Sequence, residues 1–120
     1  FVYIKTEINT LDLSGNNFKT IDNQLINRIS DITGLKRLIL SNNPIYDLHP
    51  LLVLNEHLAL EHIELVRTYA PQFSPFTLTF PKNLGRRITW GPIQRNCFNL
   101  SDDDKSIIMR YLLNQLSSYR

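Results

Sequence analysis

Apolar residues recur along the chain at a fixed spacing. Ile8, Leu11, Leu13, Asn16 and Phe18 follow the spacing L-x-x-L-x-L-x-x-N-x-L, and Leu35, Leu38, Leu40, Asn43 and Ile45 repeat it 27 residues later. Ile21 and Leu48 extend the match by one apolar position. A third, looser copy runs through Leu60, Ile63, Leu65, Thr68 and Ala70, displaced by 25, with Thr68 where the other two carry Asn. Each L-x-L predicts a short strand with both apolar side chains on one face, because strand side chains alternate. The Asn falls where the chain turns away, and its amide is suited to pairing backbone groups that would otherwise be buried without partners. Between copies the period changes. Leu25, Ile26, Ile29 and Ile32 predict a helix over Asn23–Ile32, stopped by Gly34. Leu51, Leu52, Leu54 and Leu58 predict a second over Pro50–Leu58, with Pro50 in its first turn.

Strands displaced by 25 to 27 residues stack in parallel while the helical segments return behind them. The predicted class is therefore α/β: a short right-handed leucine-rich-repeat solenoid, with parallel strands, helical returns, a C-terminal cap and a final helix. Its units lie near 8–34, 35–59 and 60–81 within a domain spanning 1–95, followed by a linker and helix over 96–120. The outward strand positions form a concave face: Thr10, Asp12 and Ser14; Arg37, Ile39 and Ser41; His62, Glu64 and Val66. The face is mixed in sign and partly apolar, which suits a protein partner better than a polyanion. Its protein-binding candidates are Thr10, Asp12, Arg37, Ile39, His62 and Glu64. A solvated sheet with no ligand is the alternative.

Charge separates the two parts of the chain. Residues 1–81 carry six Lys/Arg against eight Asp/Glu, and residues 82–120 carry seven against three. Phe76, Leu78 and Phe80 alternate within 75–82, a strand-like stretch bracketed by Pro71, Pro75 and Pro81. The next segment, 82–95, holds Lys82, Arg86, Arg87, Arg95 and Trp90 with no acidic residue. Cations beside an aromatic ring are used on single-stranded RNA, so these five are the RNA-binding candidates. In the competing reading Ile88 and Trp90 cap the open end of the core while the arginines stay in water. Ser101 opens a helix as N-cap, Asp102, Asp103 and Asp104 complement its dipole, and Ile107, Ile108, Tyr111, Leu112 and Leu116 form its apolar stripe.

The remaining chemistry is sparse. The acidic triplet reads as a cap, not a metal site. His49, His57 and His62 lack metal-ligand spacing and are expected at a surface or interface. No nucleophile elbow, phosphate loop or zinc signature occurs, so no catalytic, cofactor or metal residue is expected. Cys97 is the only cysteine, which excludes an intrachain disulfide and points to a reducing compartment; it reads as an unreactive thiol. No apolar run approaches the roughly 20 residues of a membrane span. The chain starts at Phe1 without a signal-peptide pattern, as expected of a piece of a longer protein.

The succession LDLSGNNF, LILSNNPI and LEHIELV resembles the leucine-rich-repeat domain of the nuclear RNA export factors, the TAP/NXF family. FPKNLGRRI (80–88) is similar to that family's closing segment. KSIIMRYLLNQLSSY (105–119) is similar, without gaps, to the first helix of the family's next domain, which is NTF2-like and pairs with a small NTF2-like partner (NXT, or p15). The connection before FPK is shorter than in the family, Ile88–Gly91 replaces its closing Leu-Asp-Gly, and Thr68 replaces the Asn, all of which suit a divergent member. The resemblance implies a non-catalytic nuclear adaptor, shuttling or resident, that binds RNA and protein adaptors in RNA export or in a related pathway such as small-RNA-guided silencing. It assigns no catalytic residue. A pure protein–protein interaction module without RNA binding is the alternative.

Overall fold

The short apolar alternations do form strands, and they stack in chain order. The computed structural model describes residues 8–69, 80–91, 98 and 100–118. Among these, β1 (Thr10–Asp12), β2 (Arg37–Ile39), β3 (His62–Leu65) and β4 (Ile88–Trp90) make one sheet in the order β1-β2-β3-β4, with every neighbouring pair parallel. Helical returns connect them: α1 (Asn23–Ser30) between β1 and β2, a 3-10 helix η1 (His49–Glu56) between β2 and β3, and α2 (Lys82–Arg87) directly before β4. A long helix α3 (Asp102–Ser118) follows. The class is α/β.

The register places Leu11, Leu38, Ile63 and Ile88 in one row across the sheet, facing the returns. Behind that row Ile26 and Ile29 of α1 and Leu51 and Leu54 of η1 are buried in the same core. Backbone pairing beyond the strands repeats with the displacement. Leu13 N–H donates to Ile39 O as Leu40 N–H does to Glu64 O, and Gly15 N–H donates to Ser41 O as Asn42 N–H does to Val66 O.

α1 begins one residue after Asp22, whose carboxylate accepts from Leu25 N–H at 2.7 Å. It ends at Ser30, short of the expected Ile32, because the chain tightens there: Ile32 N–H reaches Ile29 O. The second return is a 3-10 helix and not the expected α-helix. Leu48, Leu51, Leu54 and His57 are all buried, a strict three-residue period, and only three residues per turn keeps all four on one face. His57 thereby departs from its expected surface position. Its Nε2 lies 2.7 Å from Ile32 O and its Nδ1 accepts from Leu60 N–H at 3.1 Å, so the pairing sets the tautomer.

The turns after the strands carry a shared backbone signature. Gly15, Asn42 and Arg67 occupy the same place in three successive units and all have positive φ: 67°, 58° and 59°. Glycine and asparagine adopt that conformation readily; arginine does so at a cost. Directly after Asn42, Asn43 is fully buried. Its Nδ2 donates to Leu13 O, Leu40 O and Ser41 O, and its Oδ1 accepts from Asn16 N–H and Phe18 N–H. Asn16 makes the same two local bonds, to Leu13 O and Ser14 O, from an exposed position.

α3 packs back on the loops that follow the strands. Ser101 caps it, accepting from Asp104 N–H at 3.1 Å, and Asp104 pairs with Lys19 at 3.4 Å. Ile108 is buried with Tyr69 and Leu100, and Leu112, Tyr46 and Phe98 border this second, smaller core. Ile107, expected in the apolar stripe, is 52% exposed, since it lies about 100° round the helix from Ile108. The Leu116 side chain, Ala70, Arg95, Cys97 and most of the strand expected over 75–82 (Phe76 and Leu78 included) lie outside the described residues. Phe80 is half-buried against the main core.

Candidate functional site

Because the strands alternate, the residues between the core leucines share the opposite face of the sheet. The register aligns Thr10, Arg37 and His62 in one row and Asp12, Ile39, Glu64 and Thr89 in the next. All six protein-binding candidates thus converge on one surface. Neighbouring strands lie about 4.8 Å apart, and the two rows are separated by two residues, about 6.7 Å. Thr10, Asp12 and Arg37 are exposed; Ile39, His62 and Glu64 are half-buried.

Serines at the ends of β1 and β2 orient the two acids. Ser14 donates to Asp12 Oδ1 from both its backbone N–H (2.9 Å) and its hydroxyl (2.6 Å). These bonds hold the Asp12 carboxyl below the usual carboxylate range. The Ser41 hydroxyl donates to Glu64 Oε2 at 2.8 Å and accepts from Val66 N–H at 3.0 Å, so the buried serine is itself fixed. His62 Nε2 meets Thr89 Oγ1 at 3.0 Å. Thr89 was not expected on this face. It sits 25 residues beyond Glu64, and I-x-W at 88–90 repeats the inward pair of Ile63 and Leu65, so the displacement that reveals the third unit also finds it.

Of the RNA-binding candidates, Arg95 lies outside the described residues, and the other four divide between solvent and packing. Lys82 and Arg86 are exposed on α2. Arg87 is half-buried and donates from Nη1 to Leu54 O at 2.9 Å, capping the end of η1. Trp90 and Ile88 lie against the main core, which occupies the indole in packing. Gly91 follows because β4 approaches Val66 closely: a Cβ there would stand 2.6 Å from Val66 Cγ1 and 3.1 Å from its Cα.

A second polar cluster joins residues that have no sequence signal in common. The Tyr111 hydroxyl donates to Asp47 Oδ1 at 2.7 Å, and His49 approaches the same oxygen with its backbone N–H (3.0 Å) and Nδ1 (2.9 Å). The Tyr46 and Tyr111 rings meet edge-on at 5.0 Å. Burial pushes the Asp47 carboxyl up, but the hydrogen bonds from Tyr111 and His49 outweigh it and leave the group below its ordinary range. Burial, and then the Asp47 carboxylate, push the Tyr111 phenol well up. The cluster fastens α3 to the loop after β2.

Among the described residues, depressions on the helical side include one of about 280 Å³ lined by Ser30, Thr33, Glu56, His57 and Leu58, and one of about 260 Å³ lined by Phe18, Asp22, Gln24, Leu25 and Arg28. Neither is lined by a sheet-face residue. Among the described residues no three His, Cys, Asp or Glu gather to hold a metal ion, and no helix is long and apolar enough to cross a membrane. No family model, curated protein or solved structure matches the chain.

Proposed function

We propose that the chain is a short leucine-rich-repeat solenoid serving as a non-catalytic binding platform for a protein partner, through the outward face of its sheet. The observation that carries this reading is the register that gathers Thr10, Asp12, Arg37, Ile39, His62 and Glu64 on one surface. A mixed-charge face with a half-buried isoleucine has the make-up of a protein contact. The nearly constant displacement of strands and turns, together with the bridging role of Asn43, supports the repeat assignment. With its resemblance to the TAP/NXF family, the reading extends to a nuclear adaptor in RNA export or a related RNA pathway, the NTF2-like partner binding elsewhere in the full protein.

RNA binding by the same chain is the second reading, and the exposed Lys82 and Arg86 favour it. The two readings separate in one set of measurements. Nuclear extract is passed over the wild-type chain and over the Arg37→Glu, Ile39→Asp and Lys82→Ala/Arg86→Ala variants, and retained proteins are quantified. The platform reading expects partners lost with Arg37→Glu and Ile39→Asp and retained with the lysine–arginine variant. Anisotropy of a labelled single-stranded uridine 20-mer tests the other reading. Contact with a few phosphates makes affinity fall steeply with salt. Partners indifferent to both face variants, with salt-dependent RNA binding lost in Lys82→Ala/Arg86→Ala, would overturn the platform reading.

A further inference from the structure

We propose that Asp12, Ile39 and Glu64 form a seat for one basic side chain of an extended protein segment, with Arg37 facing an acidic residue two positions along that segment. The inference rests on the platform reading and specifies the chemistry of its partner.

The three residues are consecutive across β1, β2 and β3, so an apolar side chain lies between two carboxylates. Both carboxylates are held in place and incompletely used. Asp12 takes its bonds on Oδ1 and Glu64 on Oε2, both from serines of the same face. Among the described residues Asp12 Oδ2 and Glu64 Oε1 accept no hydrogen bond, and neither acid is ion-paired. A partner that covers Ile39 must remove water from the carboxylates on either side. Doing so without supplying donors leaves uncompensated charge, which is strongly unfavourable. An apolar partner is therefore disfavoured by the flanks of its own contact. A phosphate backbone is disfavoured by repulsion. Lys or Arg meets both requirements: its methylene stem covers Ile39 and its charged head reaches an open carboxylate oxygen.

Arg37 defines the rest of the segment. It lies two residues before Ile39 on the same strand and face, about 6.7 Å away, and has no ion-pair partner among the described residues. An extended segment along β2 presents side chains at the same interval on one face. A basic residue over Ile39 thus places its neighbour two positions along over Arg37, where a second cation is repelled and a carboxylate is paired. The occupant is an alternating-charge segment and not a polycation.

The test selects random 12-residue peptides, displayed on phage, against the immobilised chain. Affinities of the selected peptides are then measured for wild type, Asp12→Asn/Glu64→Gln and Ile39→Asp. Asn and Gln retain acceptors for Ser14 and Ser41, and circular dichroism checks that the fold persists. Selected peptides are expected to share a Lys or Arg. Replacing it with Ala, or neutralising the two acids, should each weaken binding at least tenfold, and the two changes together should add little more. Peptides without a basic residue, or affinities within twofold for Asp12→Asn/Glu64→Gln while Ile39→Asp abolishes binding, overturn the basic seat and leave the platform standing. Binding that survives Ile39→Asp as well, selection that enriches nothing over the Ile39→Asp protein, or displacement of the peptides by the uridine 20-mer overturns the platform and with it the seat.

Discussion

Asn16 and Asn43 occupy the same place in successive units, yet replacing them with Ala should have very different consequences. At Asn16 the substitution removes two donor bonds, to Leu13 O and Ser14 O, at an exposed position where water takes over. Leu13 O also keeps its bond from Asn43. The expected cost is about 1 kcal/mol, that of one ordinary net hydrogen bond. At Asn43 the same change removes one donor each from Leu13 O, Leu40 O and Ser41 O, of which Leu13 O keeps Asn16 and Ser41 O keeps Gly15 N–H, and it removes the acceptor of both Asn16 N–H and Phe18 N–H, around a fully buried side chain. Carbonyls tolerate a missing donor better than amides tolerate a missing acceptor. The two orphaned N–H groups therefore dominate, and with roughly 1–3 kcal/mol for each unsatisfied group the loss is about 4 kcal/mol. The gap of about 3 kcal/mol is a large part of a typical domain's stability of about 5–15 kcal/mol. Urea unfolding followed by circular dichroism measures both variants, and Asn43→Ala should melt on the order of 10 °C below Asn16→Ala. A gap under about 1 kcal/mol, or one of opposite sign, would refute the bridging role assigned to Asn43.

Three further changes probe other parts of the fold. Arg67→Gly should stabilise by about 0.5–1 kcal/mol, since Arg67 sits at φ 59° and glycine relieves left-handed strain at some entropic cost, and thermal unfolding reads the gain. Gly91→Ala should cost about 1–3 kcal/mol because the new methyl meets Val66 at 2.6 Å, and hydrogen exchange should rise first in β4. Tyr111→Phe should cost about 1 kcal/mol at neutral pH, the value of a charge-assisted bond discounted for partial exposure. Its pH dependence has a definite sign. The Asp47 carboxyl is depressed in the folded chain, so its contribution is complete above its ordinary pKa of about 3.9 and is lost as pH falls through the lower folded value. Tyr111→Phe should therefore flatten stability against pH between about 5 and 2. The raised Tyr111 phenol contributes below about pH 10, and that stability is lost only as pH rises through its folded value, so the variant should also lack this alkaline loss.

Much of the scaffold was legible because it depends on local periodicity. The two-residue alternation of Leu11 with Leu13 and Leu38 with Leu40 determines which way each strand faces, whatever lies beyond it. The nearly constant displacement determines that these strands pair in parallel, and it alone places Arg37 beside His62 and Ile39 beside Glu64. Ser101 as an N-cap was equally readable, since a cap bond spans three residues. β4 was less so. Its I-x-W carries the right displacement, but Gly85 stands where Leu60 opens the preceding unit, and the basic residues around it draw attention to charge. The helix type of the second return was decided by packing. Leu51 and Leu54 fit several helical periods alone, and only burial of Leu48 and His57 with them selects three residues per turn. The joint between α3 and the sheet layer was not readable at all. Tyr111 and Asp47 lie 64 residues apart with no shared pattern, and their bond exists because the middle of α3 packs against the loop after β2. The same is true of Arg87, whose charge is plain in the sequence and whose engagement with Leu54 O is not. Periodic hydrophobicity determines faces and register because those are properties of a few neighbouring residues. Which polar groups remain open to a partner depends on what folds against them, and only the tertiary structure decides that.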